Sequence, residues 1–184
     1  MPEHDDEQRQ GLRAAFEWMR ATRTRRVLTD VAVVVAIVMV VGIWQTRDHV
    51  RGDAPVVSLT ERDGSIVAQP FATDAPTLVV FFAPWCTVCR AESDNVSRVM
   101  RLFDDHARVV AIASAYDDVV DVDRYVADVG VDYPVLFGGE EAARAFRVRA
   151  FPTTYVLDAE GRVVSSAVGY TTTLGLAWRL LVAM

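Results

Sequence analysis

Cys86 and Cys89 are the only cysteines in the chain, and Thr87 and Val88 alone separate them in the stretch FFAPWCTVCRAES (81–93). Thiols at that spacing can cycle between dithiol and disulfide, supply two ligands to a metal, or form a structural bridge. A bridge across two residues closes too small a loop to remove much chain entropy from the unfolded state. Disulfide-stapled secreted domains carry several widely spaced cysteines instead. A structural zinc site takes four protein ligands, and the three histidines, His4, His49 and His106, lie far from the pair in sequence. Two thiolates could still hold a linear Cu(I) ion, so copper binding stays open beside dithiol chemistry.

Dithiol chemistry makes a demand on the elements around it. The attacking species is the thiolate, and a helix N-terminus stabilises it with free N–H groups and partial positive charge. TLVVFFA (77–83) is a continuous apolar run that suits a central strand buried on both faces. From Thr87 to Phe103, the spacing of Val88, Val96, Val99, Met100 and Phe103 predicts a helix. Upstream, VVSLTERDGSIVAQ reads as two short strands about a turn at Asp63-Gly64. Downstream, 108–115 reads as a buried strand, 117–130 as a helix stopping at Gly130, 133–137 as a short strand and 139–148 as a short helix. A strand pair turning at DAEGR and a final helix close the chain. In that helix Thr171 to Thr173 offer N-caps, and Leu174, Trp178 and Leu181 line one face.

These elements make an α/β sandwich with a mixed sheet flanked by helices. Functional sites of such sheets lie beyond the carboxyl ends of the parallel strands, and Cys86 falls there. Cys86 is therefore expected to attack from an exposed sulfur, and Cys89, one helical turn on, to resolve the mixed disulfide. Trp85 forms an apolar flank beside the reacting sulfur.

The rest of the chain concerns location. Val31 to Trp44 is 14 residues without a charge, and extension back to Val27, which takes in Thr29 and Asp30, gives 18, roughly 27 Å of helix. The preceding region is long and begins acidic, and no small-residue cleavage site follows closely, which favours an uncleaved anchor over a signal peptide. Arg20, Arg23, Arg25 and Arg26 precede the span, whereas Arg47 and Arg51 follow it. That bias puts the N-terminus in the cytoplasm and the main domain outside the membrane. The expected organisation is a cytoplasmic tail (1–26), a transmembrane anchor (27–45), a linker (46–55) and one folded domain (56–184). Leu12, Phe16 and Met19 share a helical face in the tail. The net charge of −6 argues against nucleic acid as a partner. All 19 basic residues are arginine, which carries no functional signal.

FFAPWCTVCRAE resembles the active-site stretch of thioredoxin-like proteins, and RAFPTTYVLDAEGRVV (149–164) resembles their second landmark, where a cis-proline faces the dithiol. Pro152 lies 63 positions beyond Cys89. That separation accommodates an extra β-α insert, as in the TlpA-like branch, and the anchor and N-terminal hairpin fit that branch too. The sequence is most similar to membrane-anchored proteins of the suppressor-of-copper-sensitivity and cytochrome c maturation types, over residues 53–184. The resemblance implies that Cys86 and Cys89 are the redox pair, that Pro152 is a cis-proline, and that Phe151 offers its backbone to an extended substrate. Three departures stand out. Thr87-Val88 between the cysteines lacks a histidine to stabilise the thiolate, which points to a mid-range to reducing potential. The buried acid that thioredoxins place on the preceding strand is replaced by Val80. Glu92 matches a glutamate of the TlpA-like branch, but Asp94 stands where a proline commonly follows.

Glu92 could pass the proton for Cys89, or be a solvated first-turn acid held by the helix dipole. The expected function is thiol–disulfide exchange with extracytoplasmic proteins, in the reducing direction. The redox-active disulfide itself serves and no further cofactor is expected. The expected partners are client protein thiols, a membrane electron donor or acceptor for dithiols, and the bilayer, with the chain a monomer. Copper delivery and a non-catalytic adaptor role through the Phe151-Pro152 groove are the alternatives. Peroxide reduction needs a threonine and an arginine around one cysteine, and Thr87 alone does not supply that pattern.

Overall fold

In the computed structural model, which describes residues 25–37, 39–42, 47, 49–67, 71 and 74–184, the chain divides into two compact units, Met1–Trp44 and Gln45–Met184. In the first unit, residues 25–37 and 39–42 are helical (α1). Leu12, Phe16, Met19 and Trp44, on which the tail and anchor readings partly rest, lie outside the described residues. Among the described residues no helix is long and apolar enough to cross a membrane. The apolar side chains of α1 are nonetheless exposed on every side, from Val27 and Leu28 to Val40 and Val41.

The second unit runs β1 (Gly52–Asp53), β2 (Leu59–Thr60), β3 (Ile66–Val67), β4 (Thr77–Phe82), α2 (Thr87–Phe103), β5 (Arg108–Ala113), α3 (Val119–Val129), β6 (Val135–Phe137), α4 (Gly139–Ala145), β7 (Thr153–Leu157), β8 (Arg162–Val168) and α5 (Thr173–Ala183). The strands form one mixed sheet in the order β1-β8-β7-β4-β5-β6-β2-β3. β4, β5 and β6 are parallel, and β7 runs antiparallel to β4. All six residues of β4 are buried, as the apolar run requires. Because side chains alternate across a strand, Leu78, Val80 and Phe82 enter a core with α2, α3 and α5. Val79 and Phe81 enter a second core on the opposite face, with Phe146 after α4.

Two sequence expectations are corrected here. The segment read as a linker already belongs in part to the fold: His49 is buried against the Tyr155 ring, and Gly52 and Asp53 pair with β8. The β8 edge has backbone groups to satisfy, and β1 supplies partners for them. Leu174, Trp178 and Leu181 on α5 are exposed, and Leu176, Ala177 and Leu180 pack inward instead. The rotation of α5 is set by polar contacts. Thr172 caps Gly175 N–H at 3.2 Å, and Arg179 donates to Ser165 Oγ at 2.5 Å and to the Ser166 carbonyl at 3.2 Å.

Gly138, between β6 and α4, sits in close contact with its neighbours. A Cβ there would lie 2.6 Å from Ala142 Cβ, 2.7 Å from Ile112 Cγ2 and 2.8 Å from Leu59 Cδ2. Gly138→Ala is expected to cost about 1–3 kcal/mol by overpacking. A lowered urea midpoint at unchanged slope reads this out, and an unchanged midpoint would show that the close approach is not there.

Candidate active site

The turn that follows β4 leads directly into α2. Cys86 N–H donates to the Ala83 carbonyl at 3.0 Å. Cys86 then takes the N-cap position of α2 with φ −80° and ψ 108°, and its Sγ accepts the Cys89 N–H at 3.1 Å. The first cysteine therefore satisfies one of the N–H groups that a helix start leaves unpaired. No acidic side chain occupies the first turn of α2, so none competes with a thiolate for the positive end of the helix. Cys86 and Cys89 are joined in a disulfide, with Cα atoms 5.3 Å apart.

The expectation of an exposed first sulfur is corrected. Cys86 is 5% exposed and Cys89 3%. The bond to Cys89 turns Cys86 along the helix, into the apolar cluster of Phe82 and Val96, against which Phe151 packs. Trp85 is the exposed neighbour, at 69%. It is not core filler: its indole N–H donates to the Ala115 carbonyl at 3.0 Å, and its ring meets Phe151 edge to face at 6.1 Å between centroids.

The second landmark reaches the same place through sheet register. β7 begins with Thr153 opposite Phe81 of β4, which sets Pro152 level with the end of β4, beside the cysteine turn. The Phe151-Pro152 peptide bond is cis. The prolyl loop is tied on both sides: Thr153 Oγ1 donates to the Ala150 carbonyl and Gly169 N–H to the Pro152 carbonyl, each at 2.8 Å.

Glu92 is not a solvated first-turn acid. It is 1% exposed, on the buried face of α2 with Cys89, Val96, Val99 and Phe103. Its Oε1 accepts the Thr171 N–H at 2.7 Å, and its Oε2 has no hydrogen-bond partner among the described residues. Burial pushes the carboxyl up to about 7, against the opposing pull of the Thr171 bonds. Glu92, Cys89 and Val80 line one small cavity of about 10 Å³. A buried acid on the helix thus borders Cys89, across the cavity from Val80 of the strand.

Four further side chains frame Glu92, and sequence reading missed them. Tyr125 and Tyr133 line the same cavity. Tyr133 and Ser93 hydroxyls share a hydrogen bond of 2.7 Å, and burial pushes the Tyr133 phenol up to about 12. Asn95 holds the loop that carries Thr171, donating to the Tyr170 hydroxyl at 2.9 Å and the Thr171 carbonyl at 3.0 Å. The Thr171 donor is a backbone group and leaves no mark in a sequence. The inward spacing of Ser93 and Tyr125 was the available signal for the others. Among the described residues, no group of three or more His, Cys, Asp or Glu side chains converges as a metal site would require.

Known proteins of the same build give the class. The chain is 28% identical over 121 residues to the thioredoxin-like protein YneN of Bacillus subtilis, spanning 65% of this chain and 71% of that one. It is 22% identical over 121 residues to the thiol-disulfide oxidoreductase ResA of the same organism, spanning 65% and 68%. A solved thiol:disulfide interchange protein of the thioredoxin family from Chlorobium tepidum TLS matches at a TM-score of 0.63 and 27% identity, over 74% of this chain and 98% of that one. With its bridged cysteines at a helix cap, the protein is a thioredoxin-like thiol–disulfide oxidoreductase. Residues 50–166 match the AhpC/TSA family, and the chain belongs to it.

Proposed function

We propose that the enzyme is a membrane-anchored reductase of the TlpA-like type, which passes electrons to disulfides of proteins outside the cytoplasm. The bridged Cys86–Cys89 pair at the cap of α2 carries the chemistry. In the dithiol form, Cys86 thiolate attacks one sulfur of a client disulfide and the other client sulfur leaves as a thiolate that takes a proton. Cys89 then loses its proton and attacks Cys86, closing the bridge and releasing the second client thiol. Two electrons and two protons reach the client, and a membrane dithiol donor restores the pair. Glu92 takes the Cys89 proton, from a buried position with a carboxyl poised near neutral pH. Trp85 and the Phe151-Pro152 loop receive the client strand, whose backbone pairs with Phe151.

The anchored location is supported by α1. Beyond Asp30 the helix is apolar around its circumference, with its side chains exposed, which suits lipid rather than water. In this proposal the tail (1–26) is cytoplasmic, 27–45 spans the bilayer, and one catalytic domain follows on the far side. The enzyme works as a monomer and uses no cofactor beyond its own disulfide.

The test is made on the full chain in its native membranes. Rapid acid quenching and mass-tag alkylation are expected to find most of the protein with both thiols free. The protein should resist carbonate extraction, and its domain should be open to protease added outside intact spheroplasts. A carbonate-soluble protein would overturn the anchor. A steady-state disulfide would reverse the direction of electron flow.

A further inference from the structure

The catalytic turn borders an open groove of about 710 Å³ that the exchange chemistry does not use. Pro84 and Trp85 form one wall, and Ser114, Tyr116 and Asp117, just after β5, line it as well. Its charged groups are matched with one exception. Asp121 pairs with Arg124 at 2.8 Å, Glu140 pairs with Arg144, and Arg90 pairs with Asp128 at 3.5 Å while lying over the Tyr125 ring. Asp117 is exposed and makes no ion pair among the described residues. Ser114 is 2% exposed, and its hydroxyl has no partner among the described residues.

We infer that this groove is a second half of the client site and takes a basic side chain, arginine or lysine, within about three residues of the client cysteine. The inference rests on the exchange reading of Cys86 and Cys89. Trp85 joins the two halves. It is adjacent to Cys86, it touches Phe151 on one side, and it walls the groove on the other. A client strand bonded through sulfur to Cys86 therefore crosses Trp85. A cation entering the groove meets the unmatched Asp117 carboxylate and the faces of Trp85 and Tyr116, which attract positive charge. A guanidinium uses both kinds of partner through its planar fork. A metal ion fits poorly, because one carboxylate is the only unmatched charged ligand.

The test uses the oxidised full chain and three peptides, each with one cysteine flanked two residues away by arginine, alanine or glutamate. The rate of each peptide with oxidised dithiothreitol divides out its intrinsic thiol reactivity. The arginine peptide is expected to react about fivefold faster than the alanine peptide, and the glutamate peptide slower than both. Asp117→Asn should erase the arginine preference. Glu160→Gln, on the distant β7–β8 turn, should retain it. Equal rates for all three peptides, or a preference that survives Asp117→Asn, would overturn the inference. If none of the peptides reacts at all, the exchange reading fails and this inference falls with it.

Discussion

Glu92→Gln will make the oxidised protein more stable at pH 8 and leave it nearly unchanged at pH 4. Burial is the chief cause that pushes the native carboxyl up from its ordinary 4.5 to about 7. Between those two values the native state holds a proton that the unfolded chain has released. Stability therefore falls as pH rises through that window, and the full penalty is present above it. Glutamine stays neutral and still offers an oxygen to the Thr171 N–H. The gain at pH 8 should reach at most about 3 kcal/mol, measured by urea unfolding at both pH values. The same substitution should slow turnover by about 10²-fold and remove an inflection near neutral pH from the rate profile, because the group that moves the Cys89 proton is gone. An equal stability change at both pH values would mean that Glu92 titrates as a solvated acid.

Cys86→Ser and Cys89→Ser separate the two sulfurs by outcome. Cys86→Ser should reduce exchange to the uncatalysed background, since a serine hydroxyl neither ionises near neutral pH nor forms a bond that a thiol can cleave. Cys89→Ser should still attack and then stall. Clients then accumulate as mixed disulfides on Cys86, visible as dithiothreitol-sensitive adducts in mass spectra. Adducts on Cys89 in the Cys86→Ser protein, with none in the reverse variant, would exchange the two roles.

The positions that were legible in sequence share one property: local chemistry decided them. The apolar run 77–83 had only a central strand to become, and β4 is that strand. Cys86 follows the run by three residues and caps α2, which begins at Thr87. Gly130, at φ 70°, ends α3 where it was read to end. The prolyl loop required a resemblance, because no local rule brings Pro152 to the cysteines; antiparallel register with β4 does so. What was misread depended on tertiary contacts. α5 is apolar on more than one side, so pattern alone could not choose its inward face, and Arg179 and Thr172 chose it. Glu92 stayed open between a proton carrier and a solvated acid, because no local rule fixes its burial. Its spacing from Cys89, Val96, Val99 and Phe103 was an available pointer to the inward stripe. Cys86 looked exposed because a nucleophile needs access, and the closed bridge draws it into the core.

The most direct measurement is equilibration of the protein in graded dithiothreitol buffers, with free thiols counted by alkylation mass. Cys86 and Cys89 should change together as one two-electron couple, with a slope of about 30 mV per tenfold change in ratio. Thiols that appear singly, or a bridge that stays closed across the whole range while the protein remains folded, would make the pair a staple rather than a redox centre.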